Sequence, residues 1–418
     1  MTRREKIGVL VFSFILVALL SLPLMGGMAV AGDTVKIAFM DPLSGPVALV
    51  GEQTHRVMKF CVDYQNKKGG ILGKQIEATY VDTEFKPQVA VRKAKSLILN
   101  KEADFIVICS SSNIGIALGQ VATKYKQILV NLGAISNIIQ GKYFSRYAFR
   151  PFFNTWAQGA AYGAYYATQP YTKFYLLNPD YAFGHDFADA AAKSLVKKNP
   201  KAKIVADEYY QVGVKDWGPY LSKIKASGAE VIVSAVFGTD TLTLLKQIKE
   251  FGLKVQVASY TAAMPSVLKG AGDAAVGLIH VGGNINTHDT ARMREMENLW
   301  HEMYKNHPDE DARWGYPNVM DIINGWLFFV AAVEKAGSLD SEKIIAAWEG
   351  MRFTSLNGEE VYMRECDHQM MLPMFVAKIE RGKNRYIPDA PYLGKPIARI
   401  PIEDTAIPFT SDYNPRCK

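Results

Sequence analysis

The strict alternation of short apolar runs with amphipathic stretches limits this chain to very few architectures. VKIAFM at 35–40 reads as a strand, and the turn DPLSG follows it. A helix is expected from near Pro46 to Asn66, with Val57, Met58, Cys61, Val62 and Tyr64 along one face. The Gly-punctuated stretch KKGGILGKQ then turns the chain into a strand within QIEATYVDT. Pro87 opens a helix to about Asn100, followed by strand 104–109, helix 113–126 and strand 128–132. After FRPFFN (149–154) the pattern restarts, with helices near 155–168, 182–198, 216–226 and 240–251. The strands between them are KFYLLN, KIVADEYY, VIVSAVF and KVQVAS. A βαβα order specifies a parallel sheet with helices on both faces. Two such arrays in succession predict an α/β chain of two lobes, each with its own sheet. The tail differs. It reads as helical stretches at 289–306, 316–336 and near 341–350, then a Pro-rich irregular end from Ile387, with few strands.

The first 31 residues stand apart. Arg3, Arg4 and Lys6 precede the apolar stretch IGVLVFSFILVALLSLPL, and Ala29-Val30-Ala31 offers a small-x-small site, so 1–31 is expected to be a cleaved signal peptide. An uncleaved anchor is the alternative reading. No later segment has eighteen uninterrupted apolar residues. The formal charge of +7 is scattered over turns and helix ends, with no basic run interleaved with aromatics, which argues against nucleic acid. Of the four cysteines, Cys366 and Cys417 share the loop-rich C-terminal part and are expected to pair. Cys61 and Cys109 are expected to be buried thiols.

Catalytic and cofactor motifs are missing from the sequence. It has no G-x-x-x-x-G-K-[ST], and GAGDAAVG (270–277) lacks dinucleotide spacing. HEMYKNH (301–307) separates its histidines by six positions, not the four a zinc helix requires. RECDHQ (364–369) is dense in polar groups but reads as a loop-stabilising cluster. No catalytic residue, metal or cofactor is therefore assigned. In ICSSSNIG, Ser110, Ser111 and Ser112 lie between a strand and a helix start. They lack the glycines of a nucleophile elbow. One serine can cap the helix. Three of them, at the carboxyl end of a parallel strand and on the positive end of a helix, suit a small carboxylate.

Taken in order, VKIAFMDPLSGPVALVGEQ, KKGGILGKQI, VDTEFKPQVAV, ICSSSNIG, DYAFGHDFADA, GVKDWGPYLSKIKASGAEVIV and LLKQIKEFGLK resemble the periplasmic solute-binding proteins of branched-chain amino acid and amide ABC transporters. The resemblance runs through nearly the whole chain beyond residue 31. It implies the two-lobe type I periplasmic binding protein fold, with three hinge crossings near 151–153, 281–285 and 357–362. The first lobe would hold 33–151 and 285–357, the second 152–284 and 358–418.

The resemblance also assigns roles. Ser110, with Ser111 and Ser112, would hold the ligand carboxylate, and Gly133, Ala134 and Ser136 would contribute from the next loop. Val50 would line the side-chain pocket. Phe183 and Phe237 stand where relatives often carry tyrosine, and Trp156 and Tyr181 would face the cleft. Amino-acid binders of the family hold the ligand ammonium with an acidic residue where this chain has Thr261, in ASYTAAMP. A buried ammonium without a partner is costly. The expected ligand is therefore a small carboxylate with an apolar or aromatic body. An amino acid or an amide is the alternative, and a periplasmic sensor role the alternative of another class. Phe85 replaces a cysteine that pairs with the Cys109 position in some relatives. The implied partners are a small-molecule ligand and, transiently, an inner-membrane permease. The expected state is a periplasmic monomer without enzymatic activity.

Overall fold

The computed structural model describes residues 34–45, 47–259, 264–285, 287–315, 319–382, 392–408 and 414–417. The chain first lays down β1 (Val35–Asp41), α1 (Ala48–Lys67), β2 (Ile76–Asp82), α2 (Pro87–Leu99), β3 (Phe105–Ile108), α3 (Ser112–Tyr125), β4 (Leu129–Asn131) and β5 (Ala148–Phe149). These strands form one parallel sheet in the order β2-β1-β3-β4-β5. Central β3, FIVI, is buried at every position, as a strand covered on both faces must be, whereas edge strand β2 alternates with partly exposed residues.

The second array comprises α4 (Thr155–Tyr166), β6 (Lys173–Pro179), α5 (Ala182–Lys198), β7 (Lys203–Tyr210), α6 (Gly218–Ser227), β8 (Val231–Ser234), α7 (Gly238–Glu250), β9 (Gln256–Ser259), α8 (Pro265–Ala271) and β10 (Ile279–Gly282). The chain then continues through α9 (Ala291–Tyr304), α10 (Glu310–Trp314), α11 (Val319–Ala336) and α12 (Ser341–Trp348). Helices α11 and α12 cover the first sheet. Phe329 meets Phe105 edge-on at 5.0 Å, and Trp348 stacks on Phe149 at 4.4 Å.

The tail departs from its sequence pattern. It contributes five strands, β11 (Arg352–Thr354), β12 (Glu360–Arg364), β13 (Gln369–Met371), β14 (Met374–Arg381) and β15 (Tyr392–Ile400), before the short α13 (Ile402–Thr405). Strands β11–β13 make a small antiparallel sheet of their own, so residues 360–371 stay out of the second large sheet. That sheet runs β15-β14-β10-β9-β8-β6-β7, and the tail strands β14 and β15 enter it antiparallel to their neighbours. The second lobe is therefore mixed where an all-parallel sheet was expected. Pro396 belongs to the Pro-rich end, from Ile387, for which irregular structure was expected. It sits in edge strand β15, opposite Ala377, where the register shifts, and an edge tolerates a residue with no N–H to donate. Cys366 and Cys417 form a disulfide, while Cys61 and Cys109 are buried free thiols.

Candidate functional site

A cavity of about 380 Å³ opens between the carboxyl ends of the two sheets' parallel strands, within the size range of small-molecule sites. One wall comes from the loops after β1 to β4. It includes Val47, Leu49, Val50, Gln53, Phe85 and the run Cys109 to Asn113, with Gly133 and Ile135 beside them. The other wall carries Asp180, Tyr181, Phe183, Gln211, Val212, Phe237, Gly238 and Met264. Phe152 and Ile322 also line it. Thus Ser110, Ser111, Ser112, Val50, Gly133, Tyr181, Phe183 and Phe237 come together around one space. Ala134, Ser136 and Trp156 lie outside the lining, and Thr261 lies outside the described residues.

Each serine does something different. Ser111 is the N-cap residue of α3 but caps nothing with its side chain. Its backbone stands at φ 62°, ψ 94°, a conformation that a residue with a Cβ adopts at a cost of about 1–3 kcal/mol. Its carbonyl accepts the first helical bond, from the Gly115 amide at 2.9 Å. The amides of Ser112, Asn113 and Ile114 therefore have no partner within the helix, and they form its positive end. Ser112 is buried, and its hydroxyl accepts from the Ser136 amide at 3.2 Å, which ties this loop to the next one. Ser110 is turned the other way. Its hydroxyl donates at 2.5 Å to Oδ1 of Asp41, a residue outside the cavity lining.

Asp41, at the end of β1, is the site residue that sequence reasoning passed over. It is buried, and Thr54 Oγ1 and the Cys109 amide also donate to it, at 3.2 Å each to Oδ2. Burial pushes its carboxyl up to about 6 against the pull of these donors. Burial likewise pushes the neighbouring Cys109 thiol up, so that it stays protonated.

The loop after β4 is shaped by Asn131. Its Oδ1 accepts from the amides of Gly133 and Ala134, at 3.2 and 2.7 Å, and its Nδ2 donates to the Ala134 carbonyl at 2.6 Å. The donors expected of this loop are thus engaged internally. Gly133 is dictated by close approach. A Cβ there would stand 1.9 Å from the Cys109 carbonyl oxygen. Ser136 points across to α5, where its hydroxyl donates to Asp186, and the Asn137 amide donates to the same carboxylate at 2.6 Å. Trp156 occupies the first turn of α4, its amide held by Asn137 Oδ1 at 2.9 Å.

The opposite wall is aromatic. Phe183 lies 5.8 Å from Tyr181 and 6.5 Å from Phe237, in tilted and edge-on geometries that suit a planar guest. The charged lining residue is Asp180 at the rim. It is exposed and already bound to His185 Nε2 at 2.8 Å and Gln211 Nε2 at 3.1 Å. Asp240, the other acid near this wall, is buried, accepts from the Gly213 amide at 2.8 Å and does not line the cavity. No lysine, arginine or histidine is among the lining residues described.

The two walls also touch beside the cavity. Helix α10 is a run of acids that reaches both sides. Asp309 pairs with Arg56 of α1 at 2.7 Å, Glu310 with Lys269 of α8 at 3.1 Å, and Asp311 accepts from the Ser266 amide that opens α8, at 2.8 Å.

Comparison with known proteins agrees with this architecture. A family model described as periplasmic binding protein matches residues 34–384. The "Leu/Ile/Val-binding protein homolog 4" of Brucella abortus (strain 2308) is 25% identical over 386 residues, covering 87% of this chain and 88% of that protein. The crystal structure of a leucine-, isoleucine-, valine-, threonine-, and alanine-binding protein from Brucella ovis, in its closed conformation, superposes with a TM-score of 0.80 at 21% identity, covering 90% of this chain and 97% of the other. A solute-binding protein of an ABC transporter from Rhodopseudomonas palustris BisB5, in complex with 3,4-dihydroxy benzoic acid, superposes with a TM-score of 0.76 at 21% identity, over 88% and 98% of the two chains. The fold class expected from the βα pattern is that of these structures. The family consists of solute-binding proteins, not enzymes. The chain belongs to the periplasmic binding protein family.

Proposed function

We propose that this protein captures a small carboxylate with an apolar or aromatic body in the cavity and delivers it to an inner-membrane permease. One observation carries the reading. Ser111, Ser112 and Asn113, which open α3, line a space that Phe152, Tyr181, Phe183 and Phe237 line as well. Such a space offers a carboxylate donors and a ring stacking partners. The Rhodopseudomonas palustris structure holds an aromatic acid on the same fold, which supports the choice of ligand class.

In this reading, residues 1–31 direct export. The lobes are 33–151 with 285–371, and 152–284 with 374–418. Setting the third crossing at Leu372–Pro373 instead of 357–362 is supported by β11–β13, which form a sheet of their own. A second reading, an amino-acid ligand, is favoured by Asp180, the carboxylate on the rim that could meet an ammonium. Titration calorimetry with benzoate, 3,4-dihydroxybenzoate, 4-methylpentanoate, leucine and benzamide separates the two. Binding of the carboxylates, weakened at least tenfold by Ser110→Ala, is the expected result. Binding of leucine alone overturns the proposal in favour of the second reading.

A further inference from the structure

The cavity presents an electrostatic problem to the ligand just proposed. A carboxylate seated on the serine loop meets no cationic side chain among the described lining residues. One hydrogen bond behind the loop stands a second carboxylate, Asp41, joined to Ser110 at 2.5 Å. The groups that bond to Asp41 supply no positive charge. From β3 it meets the Cys109 thiol and amide, and from α1 the Thr54 hydroxyl, with the Cys61 thiol beyond. Its register partner on β2 is Asp82, another acid, occupied by the Leu43 and Glu84 amides. Lys93 of α2, the cation beside Asp82, donates to the Asp82 carbonyl at 2.7 Å. No described ion pair involves Asp41. Two anions brought this close in a desolvated site do not both remain ionised, so one binds a proton.

We infer that Asp41 is a specificity-determining residue that takes up one proton for each carboxylate bound. The inference rests on the carboxylate reading of the site. The ligand enters as its anion, and a proton from water binds Asp41. The new O–H donates to Ser110 Oγ, which frees the Ser110 proton to turn into the cavity and donate to the ligand. The hydroxyl that is turned to Asp41 thereby becomes the donor that the family resemblance assigns to it. Without the proton, Ser110 presents only lone pairs to the cavity and repels an anion. The arrangement selects a group that is anionic in solution and bound together with a proton. Burial already raises the Asp41 carboxyl toward neutrality in the empty protein, which keeps this uptake within reach at physiological pH.

The experiment is calorimetric titration of the full mature chain with benzoate at pH 7.5 in two buffers of different ionisation enthalpy. The benzoate carboxyl is fully ionised there, so any proton counted belongs to the protein. The expected result is uptake of close to one proton per benzoate, falling toward zero at pH 5, with Kd rising up to about tenfold per pH unit above neutrality. Asp41→Asn should abolish the uptake and flatten the pH dependence. If that variant does not fold, the proton count on the natural protein decides alone. Benzoate binding with no proton uptake overturns the role of Asp41 and leaves the carboxylate reading standing. Uptake that persists in Asp41→Asn also overturns it. Binding of benzamide or leucine with no binding of benzoate, 3,4-dihydroxybenzoate or 4-methylpentanoate overturns both.

Discussion

Asp321 offers a measurement of what burial costs beside the segment that follows β10. It sits on α11, fully enclosed, and accepts from Asn284 Nδ2 at 2.7 Å and from the amides of Gly283 and Asn284. Its other oxygen has no hydrogen-bond partner. Burial outweighs these donors and pushes the carboxyl from 3.8 up to about 8. At pH 7 the folded protein therefore keeps this group protonated, whereas the unfolded chain ionises it. Folding takes up a proton at this group, so the contribution of Asp321 to stability is greatest at low pH and falls as pH rises from about 4 to about 8. Each pH unit in that window costs about 1.4 kcal/mol, or about 4 kcal/mol by pH 7. Asp321→Asn keeps an acceptor for Asn284 and cannot ionise. It should be more stable than the natural protein at pH 7, by up to about 4 kcal/mol, with the gap closing near pH 4. Urea unfolding of both proteins at pH 4, 5.5, 7 and 8 gives the comparison. A gap that stays constant with pH would refute the reasoning, because it would show that Asp321 does not titrate differently in the two states.

Two further substitutions probe the scaffold behind the site. Gly133→Ala places a methyl group 1.9 Å from the Cys109 carbonyl, so two loops must separate; a loss of about 1–3 kcal/mol in urea unfolding and weaker ligand binding are expected together. Cys366→Ser opens a loop of 51 residues, which on chain-entropy grounds costs about 4 kcal/mol. The same loss should appear when the natural protein is unfolded under reducing conditions, and equal midpoints with and without reductant would count against it.

The βα alternation, and with it the parallel strands of both large sheets, could be read directly from the sequence. Continuous apolar runs such as FIVI and VIVS form strands buried on both faces, and local periodicity is enough to place them. The serine loop was legible for the same reason, since a strand end followed by a helix start defines its position. Strands β14 and β15 were not, because a proline-bearing edge strand has no local signature until its partner is known. The aromatic wall was only half visible. Phe183 and Phe237 follow strands in the pattern, but Phe85, Phe152 and Met264 reach the cavity only through the packing of their loops.

What the sequence alone determined is which segments are strands and helices, and that their carboxyl ends would gather into a site. What only the tertiary structure decided is which groups within that site are free to act. Ser110 is bound by Asp41, sixty-nine positions away in the chain, and Gly133 and Ala134 are held by Asn131. Hydrogen bonding is directional and each proton serves one acceptor at a time. A residue's chemistry toward a ligand is thus settled by neighbours that no local pattern can supply.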